Sequence, residues 1–257
     1  MDHNGLMLSV VIPIKDEAEN IELVAEQLNA ALSSQLWPWE CIWIDDGSTD
    51  GSLAILQRLA EKDSRHRYIS FETNTGQSAA FLAGFKKAKG ALIATMDGDG
   101  QNDPADIPRL VAEMQSGEMD MINGYRARRK DNIVRKISSR IANAFRNRMT
   151  GKTVSDVGCS TRVFRRECVE CLPHFKGLHR FLPTLVAMQG FSLAEVAVNH
   201  RPRVKGKTKY SINNRLWVGL LDTFGILWLQ KRRFQYRIVK DSEQMKIKRK
   251  PSERSTQ

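Results

Sequence analysis

At 257 residues, 41% of them hydrophobic, the chain can bury a large core, and one α/β domain with an appendage is the expected scale. Its net charge of +11 and pI near 9.7 point to an anionic partner: nucleic acid, a phosphorylated substrate or a membrane surface. The four cysteines have no disulfide-framework spacing, and Cys168-x-x-Cys171 lacks the second ligand pair of a zinc site, so a reducing cytoplasm is expected. Met1 to Met7 shows no secretion signal, and no run reaches the roughly 20 apolar residues of a bilayer span. The charge is uneven. From Lys231 onward ten Lys or Arg face three acids, a net of +7, and Arg126 to Arg148 holds nine cationic residues against the single Asp131.

In chain order, Leu8 to Ile14 is a buried strand with Pro13 near its end, and Asp16 and Glu17 open a helical pattern running to about Gln35. Two readings stand for Glu17: a carboxylate complementing the helix dipole, or a ligand contact just past a strand's carboxyl end. A second strand, Cys41 to Ile44, runs into Asp45-Asp46-Gly47-Ser48-Thr49-Asp50-Gly51. There Ser48 or Asp50 is expected to cap a helix from Leu53 to Ala60, and one of the paired carboxylates can bind a ribose hydroxyl or a base edge. A third strand (Tyr68 to Phe71) and a helix (Ser78 to Lys87) lead to a fourth apolar run, Ala91 to Met96. Strand and helix alternating at short spacing predict a parallel sheet with covering helices.

That fourth strand delivers Asp97-Gly98-Asp99-Gly100-Gln101-Asn102-Asp103-Pro104 to the open edge of the sheet. If the backbone stays extended, Asp97, Asp99 and Gln101 point to one side and can share Mg²⁺ or Mn²⁺, while Gly98 and Gly100 leave room for a ligand. An EF-hand is rejected because Asn102 and Pro108 occupy its sixth and twelfth positions. A dinucleotide fingerprint fails at Asp103, and a P-loop at Gly151-Lys152-Thr153 fails because Arg146 stands where its first glycine belongs. A solvated acidic turn is the plain alternative.

Taken together, Val10-Val-Ile-Pro13…Glu17, Asp45-Asp46-Gly-Ser48-Thr-Asp-Gly and Asp97-Gly-Asp99-Gly-Gln101 resemble the inverting family 2 glycosyltransferases of GT-A fold, over about residues 6 to 215. Within that family the chain looks most like the polyprenol-phosphate glycosyltransferases. Lys15-Asp16 replaces the family's usual Tyr-Asn, and the two membrane helices that follow many bacterial relatives are missing. The resemblance implies that Pro13, Lys15, Glu17 and Asp46 hold the base and ribose, with Asp97 and Gly98 near the ribose and metal. It implies that Asp97, Asp99 and Gln101 bind the metal on the diphosphate, with Asp99 catalytic. Arg126 falls near the donor and acceptor phosphates, Arg135 and Ser139 at the acceptor phosphate. Arg203 and Lys209, in His200-Arg-Pro-Arg203-Val-Lys-Gly-Lys-Thr-Lys209, fall on a mobile loop over the diphosphate, with Arg203 also catalytic.

Chemistry supports the same assignment. A hydroxyl acceptor needs a carboxylate base, yet Gly177 to Gly190, where such enzymes often carry it, contains no acid. A phosphate acceptor, with a second pKa of about 6, is already largely dianionic and needs cations instead. The Arg126–Arg148 block supplies them, a solvated helix face being its other reading. Further on, Trp217, Leu220, Leu221, Phe224, Leu227 and Trp228 share one helical stripe, with Asp222 and Gln230 away from it and Lys231-Arg-Arg233 following. That pattern suits a helix lying on an anionic membrane; docking to a partner or the core is the alternative. The expected division is a catalytic domain over 1–215, an amphipathic helix over 216–240 and a disordered basic tail over 241–257.

The expected protein is thus an inverting, Mg²⁺- or Mn²⁺-dependent enzyme at the cytoplasmic membrane face. It moves a hexose-type sugar from a UDP- or GDP-sugar to a polyprenyl phosphate, with an integral membrane protein as a candidate partner. Transfer to a saccharide hydroxyl is the runner-up, and a basic binding module the alternative of another class. Only Tyr125 and Phe145 interleave the basic block, which argues against nucleic acid.

Overall fold

The computed structural model describes residues 7–127, 151, 154–170, 172–202 and 212–233. Strands β1 (Leu8–Ile14), β2 (Trp39–Asp45), β3 (His66–Ser70) and β4 (Leu92–Thr95) alternate with helices α1 (Ala18–Ser33), α2 (Ser52–Lys62) and α3 (Gln77–Lys87). Then follow α4 (Asp106–Ser116), β5 (Met121–Arg126), β6 (Arg162–Arg165) and the short α5 (Glu167–Glu170). A 3-10 turn at Leu178–Arg180, α6 (Leu182–Met188), β7 (Leu193–Val198) and α7 (Ile212–Arg232) complete the order. One sheet contains seven strands in the order β3-β2-β1-β4-β6-β5-β7. Its pairings are parallel except those that β6 makes with β4 and β5.

Every residue of β1 and β2 is buried, because helices cover both faces of the sheet. The two-residue strand period divides them. Val10, Ile12, Cys41 and Trp43 pack with Ile21 and Leu28 of α1 and Leu110 of α4, whereas Val11, Ile42 and Ile44 pack with Phe81 and Phe85 of α3 and Leu182 of α6. Each large apolar side chain so buried contributes about 1.5–3 kcal/mol. Pro13 is tolerated in this central strand because β4 pairing ends at Val11↔Thr95, beyond which a proline costs no ladder bond on that side.

Several boundaries differ from the sequence reading. The first helix stops at Ser33, two residues short, and the fourth strand covers only Leu92–Thr95. The two expected cap residues divide: Gly51 holds the N-cap position of α2, and Asp50 Oδ1 accepts from the Ser52 N–H that opens this helix at 2.9 Å. The other Asp50 oxygen accepts from Ala18 N–H at the start of α1 at 3.1 Å, and Ser48 Oγ accepts from Asp16 N–H at 2.8 Å. One carboxylate with two oxygens thus serves both helix starts, while Ser48 turns toward the first.

The C-terminal helix begins at Ile212, four residues before its expected start. One face lies on the protein: Thr223 and Ile226 are 3% and 2% exposed, and Ile226 joins the cluster containing Leu178, Phe181 and Leu182. Leu221, Phe224 and Trp228 stay 70%, 55% and 64% exposed. Side chains of 212–218 and 220, Trp217 and Leu220 among them, lie outside the described residues, as do 234–257. No helix among the described residues is long and apolar enough to cross a membrane.

Candidate active site

The carboxyl ends of β1, β2 and β4 meet at one edge of the sheet, and their loops lock together. Asp16, held at φ +46°, accepts from Thr49 N–H at 2.7 Å, while Lys15 Nζ donates to the Gly47 carbonyl. Glu17 donates its N–H to Ser52 Oγ at 3.0 Å, and its Oε2 accepts from Asn20 Nδ2 at 2.6 Å. The adjacent carboxylates after β2 have separate tasks. Asp45 accepts from Ser48 N–H and Ser70 Oγ, each at 2.9 Å. Asp46 accepts from Thr75 N–H at 2.7 Å and Gly76 N–H at 2.9 Å, fixing the loop before α3. Turn ordering therefore explains why both acids are present, and it sets Pro13, Lys15, Glu17 and Asp46, the residues expected at the nucleotide, on one rim.

Past β4 the backbone does not stay extended, correcting the basis on which Asp97, Asp99 and Gln101 were aligned. Gly100 adopts φ +74°, and Asp99 Oδ1 accepts from Gln101 N–H at 3.1 Å, so the chain turns after Asp97. Gln101 then runs beside Arg201: its carbonyl accepts from Arg201 N–H at 2.9 Å, and its Nε2 donates to the Arg201 carbonyl at 3.4 Å. Gly98 is also reassigned. A Cβ there would stand 2.4 Å from Ile14 Cγ2, so packing against β1 requires the glycine and leaves no room there for a ligand; the space at Gly100 is open.

Asp97 accepts from Gln77 Nε2 at 2.8 Å. Burial and, after it, the Asp99 charge push its carboxyl up to about 6, opposed by Ser160, Arg162 and Arg126. Two neighbouring carboxylates with hard oxygen donors suit a Mg²⁺- or Mn²⁺-type cation, which would relieve their mutual repulsion. Among the described residues no three acidic, His or Cys side chains could hold a metal ion between them. Such a cation would draw its remaining ligands from water and substrate phosphates, as Mg²⁺ commonly does.

The cationic side is built on β5 and β6. Arg126 ends β5 and makes a bidentate pair with Asp156, Nε to Oδ2 at 2.7 Å and Nη2 to Oδ1 at 2.9 Å. Asp156 thus ties its loop to the end of β5. Arg162, absent from the sequence reading, opens the antiparallel β6 between Thr95 and Asn123. Only 2% exposed, it donates to Asn123 Oδ1 at 3.0 Å and the Val157 carbonyl at 2.7 Å. Asn102 was missed as well: its Oδ1 accepts from Asp97 N–H and Ser160 Oγ, each at 3.1 Å. Neither belongs to a motif, and burial is the signal that finds them. Arg201 closes the rim, with Nη2 2.7 Å from Asp103 Oδ1. Arg135, Ser139, Arg203 and Lys209 lie outside the described residues.

A mostly parallel sheet with paired carboxylates at its carboxyl edge defines a GT-A-like fold. Glucosyl-3-phosphoglycerate synthase from Mycobacterium tuberculosis, solved with Mn²⁺, UDP-glucose and phosphoglyceric acid, superposes with a TM-score of 0.65 at 20% identity, covering 88% of this chain and 80% of that one. Residues 9–172 match the model of glycosyl transferase family 2, and the chain belongs to that family. It is 38% identical to the dodecaprenyl-phosphate galacturonate synthase of Rhizobium johnstonii, over 88% of this chain and 68% of the relative. It is 37% identical to the undecaprenyl-phosphate 4-deoxy-4-formamido-L-arabinose transferase of Yersinia enterocolitica, over 80% and 63%. The chain thus spans about two thirds of the length of these curated relatives.

Proposed function

We propose that this transferase moves a hexose-type sugar, with inversion, from a UDP- or GDP-sugar to a polyprenyl phosphate at the cytoplasmic membrane face. The observation that carries the reading is the Asp97–Asp99 pair at the carboxyl end of β4, within electrostatic reach of the Arg126 and Arg162 guanidinium groups. Both relatives named above bear polyprenyl-phosphate sugar transfer in their names, which supports the acceptor class.

Asp97, Asp99 and the Gln101 region would hold Mg²⁺ or Mn²⁺. When bound, that cation supplies Lewis-acid neutralisation of the departing diphosphate. The chain's own residues do the rest. Pro13, Lys15, Glu17 and Asp46 border the base and ribose, while Gly98 keeps the carboxylate loop tight against β1. Arg203 and Lys209 neutralise the leaving group, and Arg126, Arg135 and Ser139 receive the acceptor phosphate. That phosphate attacks the anomeric carbon as an ionised nucleophile and needs no proton removed. Folding does bring one carboxylate to the acid-free segment, Asp222 of α7. It faces Arg180 at 3.5 Å, as an ion-pair partner rather than a general base. The exposed stripe Leu221, Phe224 and Trp228, with exposed Lys231, Arg232 and Arg233 at its end, suits peripheral attachment to an anionic leaflet, alone or beside an integral membrane partner.

The test is to incubate the protein with Mg²⁺ or Mn²⁺, a panel of UDP- and GDP-sugars and undecaprenyl phosphate, then extract the lipid. A sugar-bearing, mild-acid-labile lipid is the expected product. Label transferred only to water-soluble saccharides would replace this reading with the hydroxyl-acceptor one.

A further inference from the structure

The apolar face of α7 and the carboxylate loop lie on different elements, yet a series of polar contacts, completed by the peptide link between Ser78 and Gln77 and by Arg180 N–H donating to the Gly177 carbonyl at 3.0 Å, joins them. Asp222, on the protein-facing side of α7, meets Arg180 Nη1 at 3.5 Å. It also sits over Gly177, where a Cβ would stand 2.4 Å from Asp222 Oδ2 and where φ is +95°. Only glycine meets both demands. Gly177 N–H donates to Ser78 Oγ at 3.0 Å, and the same hydroxyl pairs with His179 Nδ1 at 2.8 Å. Ser78 lies in the first turn of α3, beside Gln77, whose Nε2 donates to Asp97. Ile226, one turn beyond Asp222, anchors α7 in the cluster that contains Leu178 and Phe181.

An acidic residue is otherwise out of place on this face. Among the described residues of α7 Asp222 is the one acid, surrounded by Thr223, Ile226 and Leu229 on the docked side. Packing alone would be served by an apolar residue there. A carboxylate instead fixes the helix in one rotational setting against the Gly177–Arg180 turn.

We propose that Asp222 is a positioning residue that couples the seating of α7 on a lipid surface to the Asp97 loop, through Arg180, Gly177 and the N-terminus of α3. This rests on the membrane reading above and deepens it. A helix whose Leu221–Phe224–Trp228 stripe is buried in lipid loses freedom to roll, and the ion pair passes that restraint to the turn and to Gln77. The protein then orders its metal-side carboxylate where its lipid acceptor resides.

Hydrogen exchange on the full chain tests the coupling without a known donor sugar. The probe is phosphatidylglycerol vesicles, with flotation measured alongside. In the parent protein, vesicles should slow amide exchange in α7, and also at Thr75–Ala79 and Leu178–Phe181, by about five-fold or more. Asp222→Asn, close in shape, should float equally and keep its thermal midpoint, yet show vesicle protection in α7 alone. Arg180→Gln should do the same from the other partner. Undiminished protection at Thr75–Ala79 in both variants would overturn the coupling, as would protection confined to α7 in the parent. A parent that fails to float would overturn the membrane reading and this inference with it, whereas the former results leave membrane binding intact.

Discussion

Burial, and after it the charge of neighbouring Asp99, raises the Asp97 carboxyl to about 6 against an ordinary 3.8. The sign follows directly. With its folded value raised, Asp97 stays protonated in the folded chain at pH values where the unfolded chain has lost that proton. Its ionisation therefore costs stability as pH climbs from about 4 through about 6. A cation needs the ionised form, so Mn²⁺ affinity should weaken by up to about ten-fold per pH unit below 6, measurable by electron paramagnetic resonance. Asp99→Asn should lower sugar transfer by about 10²-fold or more while leaving the fold intact by circular dichroism. Turnover close to the parent's would remove the carboxylate pair from the mechanism. The motif showed these two acids; it did not show that Gln77 and Arg162 would surround Asp97, or that Asn102, in the same stretch, would bind its N–H. Gln77 arrives on α3 and Arg162 on β6, neighbours of Asp97 only once the sheet and its covering helix are assembled.

Helix α7 divides its residues between two environments, and the division can be measured. Ile226, 2% exposed in the cluster with Leu178, should cost about 2–5 kcal/mol on conversion to alanine, read from urea unfolding. Trp228, 64% exposed, should change stability by less than about 0.5 kcal/mol on the same conversion, yet release the protein from phosphatidylglycerol vesicles in flotation. Equal flotation of the Trp228→Ala chain would assign the stripe another use. The helix and its apolar stripe were visible as a periodicity. Its docked face was not, since Asp222 reads as an ordinary polar position until Gly177 and Arg180 are placed beside it. Strands β1, β2 and β4 were legible as continuous apolar runs, β2 and β4 ending in Asp-Asp-Gly and Asp-Gly turns, and β3 by its place between two helical patterns. β5, β6 and β7 were not. Their sequences, MINGYR, RVFR and LAEVAV, are short or broken by polar residues, and their pairing joins segments far apart in the chain.

Across the whole molecule, one buried histidine opposes the Asp97 contribution to stability at moderate acidity. His66 on β3 is 1% exposed; its Nδ1 accepts from Trp43 Nε1–H at 3.0 Å and its Nε2 pairs with Asn29 Oδ1 at 3.1 Å. That arrangement requires the neutral ring, and burial holds its pKa down to about 4 from 6.5. Here the unfolded chain binds the proton first, so stability is full above pH 6.5 and lost as pH falls toward 4, by roughly 3 kcal/mol in total. Asp97 works the other way over part of this range, so the comparison is between parent and His66→Gln: from pH 7 to pH 5 the urea midpoint of the parent should fall relative to that of the variant. Parallel midpoints in the two chains would show that the ring is not held neutral.

The sequence alone determined the alternation of apolar runs and turn-forming acids, and with it a parallel sheet whose carboxyl edge carries Asp97 and Asp99. Local patterning suffices for that, because burial on both faces and the turn chemistry after each strand are written in consecutive residues. Tertiary structure decided what each polar group touches. It set Gln101 beside Arg201, filled the space at Gly98 with Ile14 and paired Arg126 with Asp156. It also slid the antiparallel β6 between β4 and β5 so that Arg162 lies behind the acids. The physical reason is range: a hydrogen bond or ion pair is settled by distance in space, and these partners are tens of residues apart until the sheet closes.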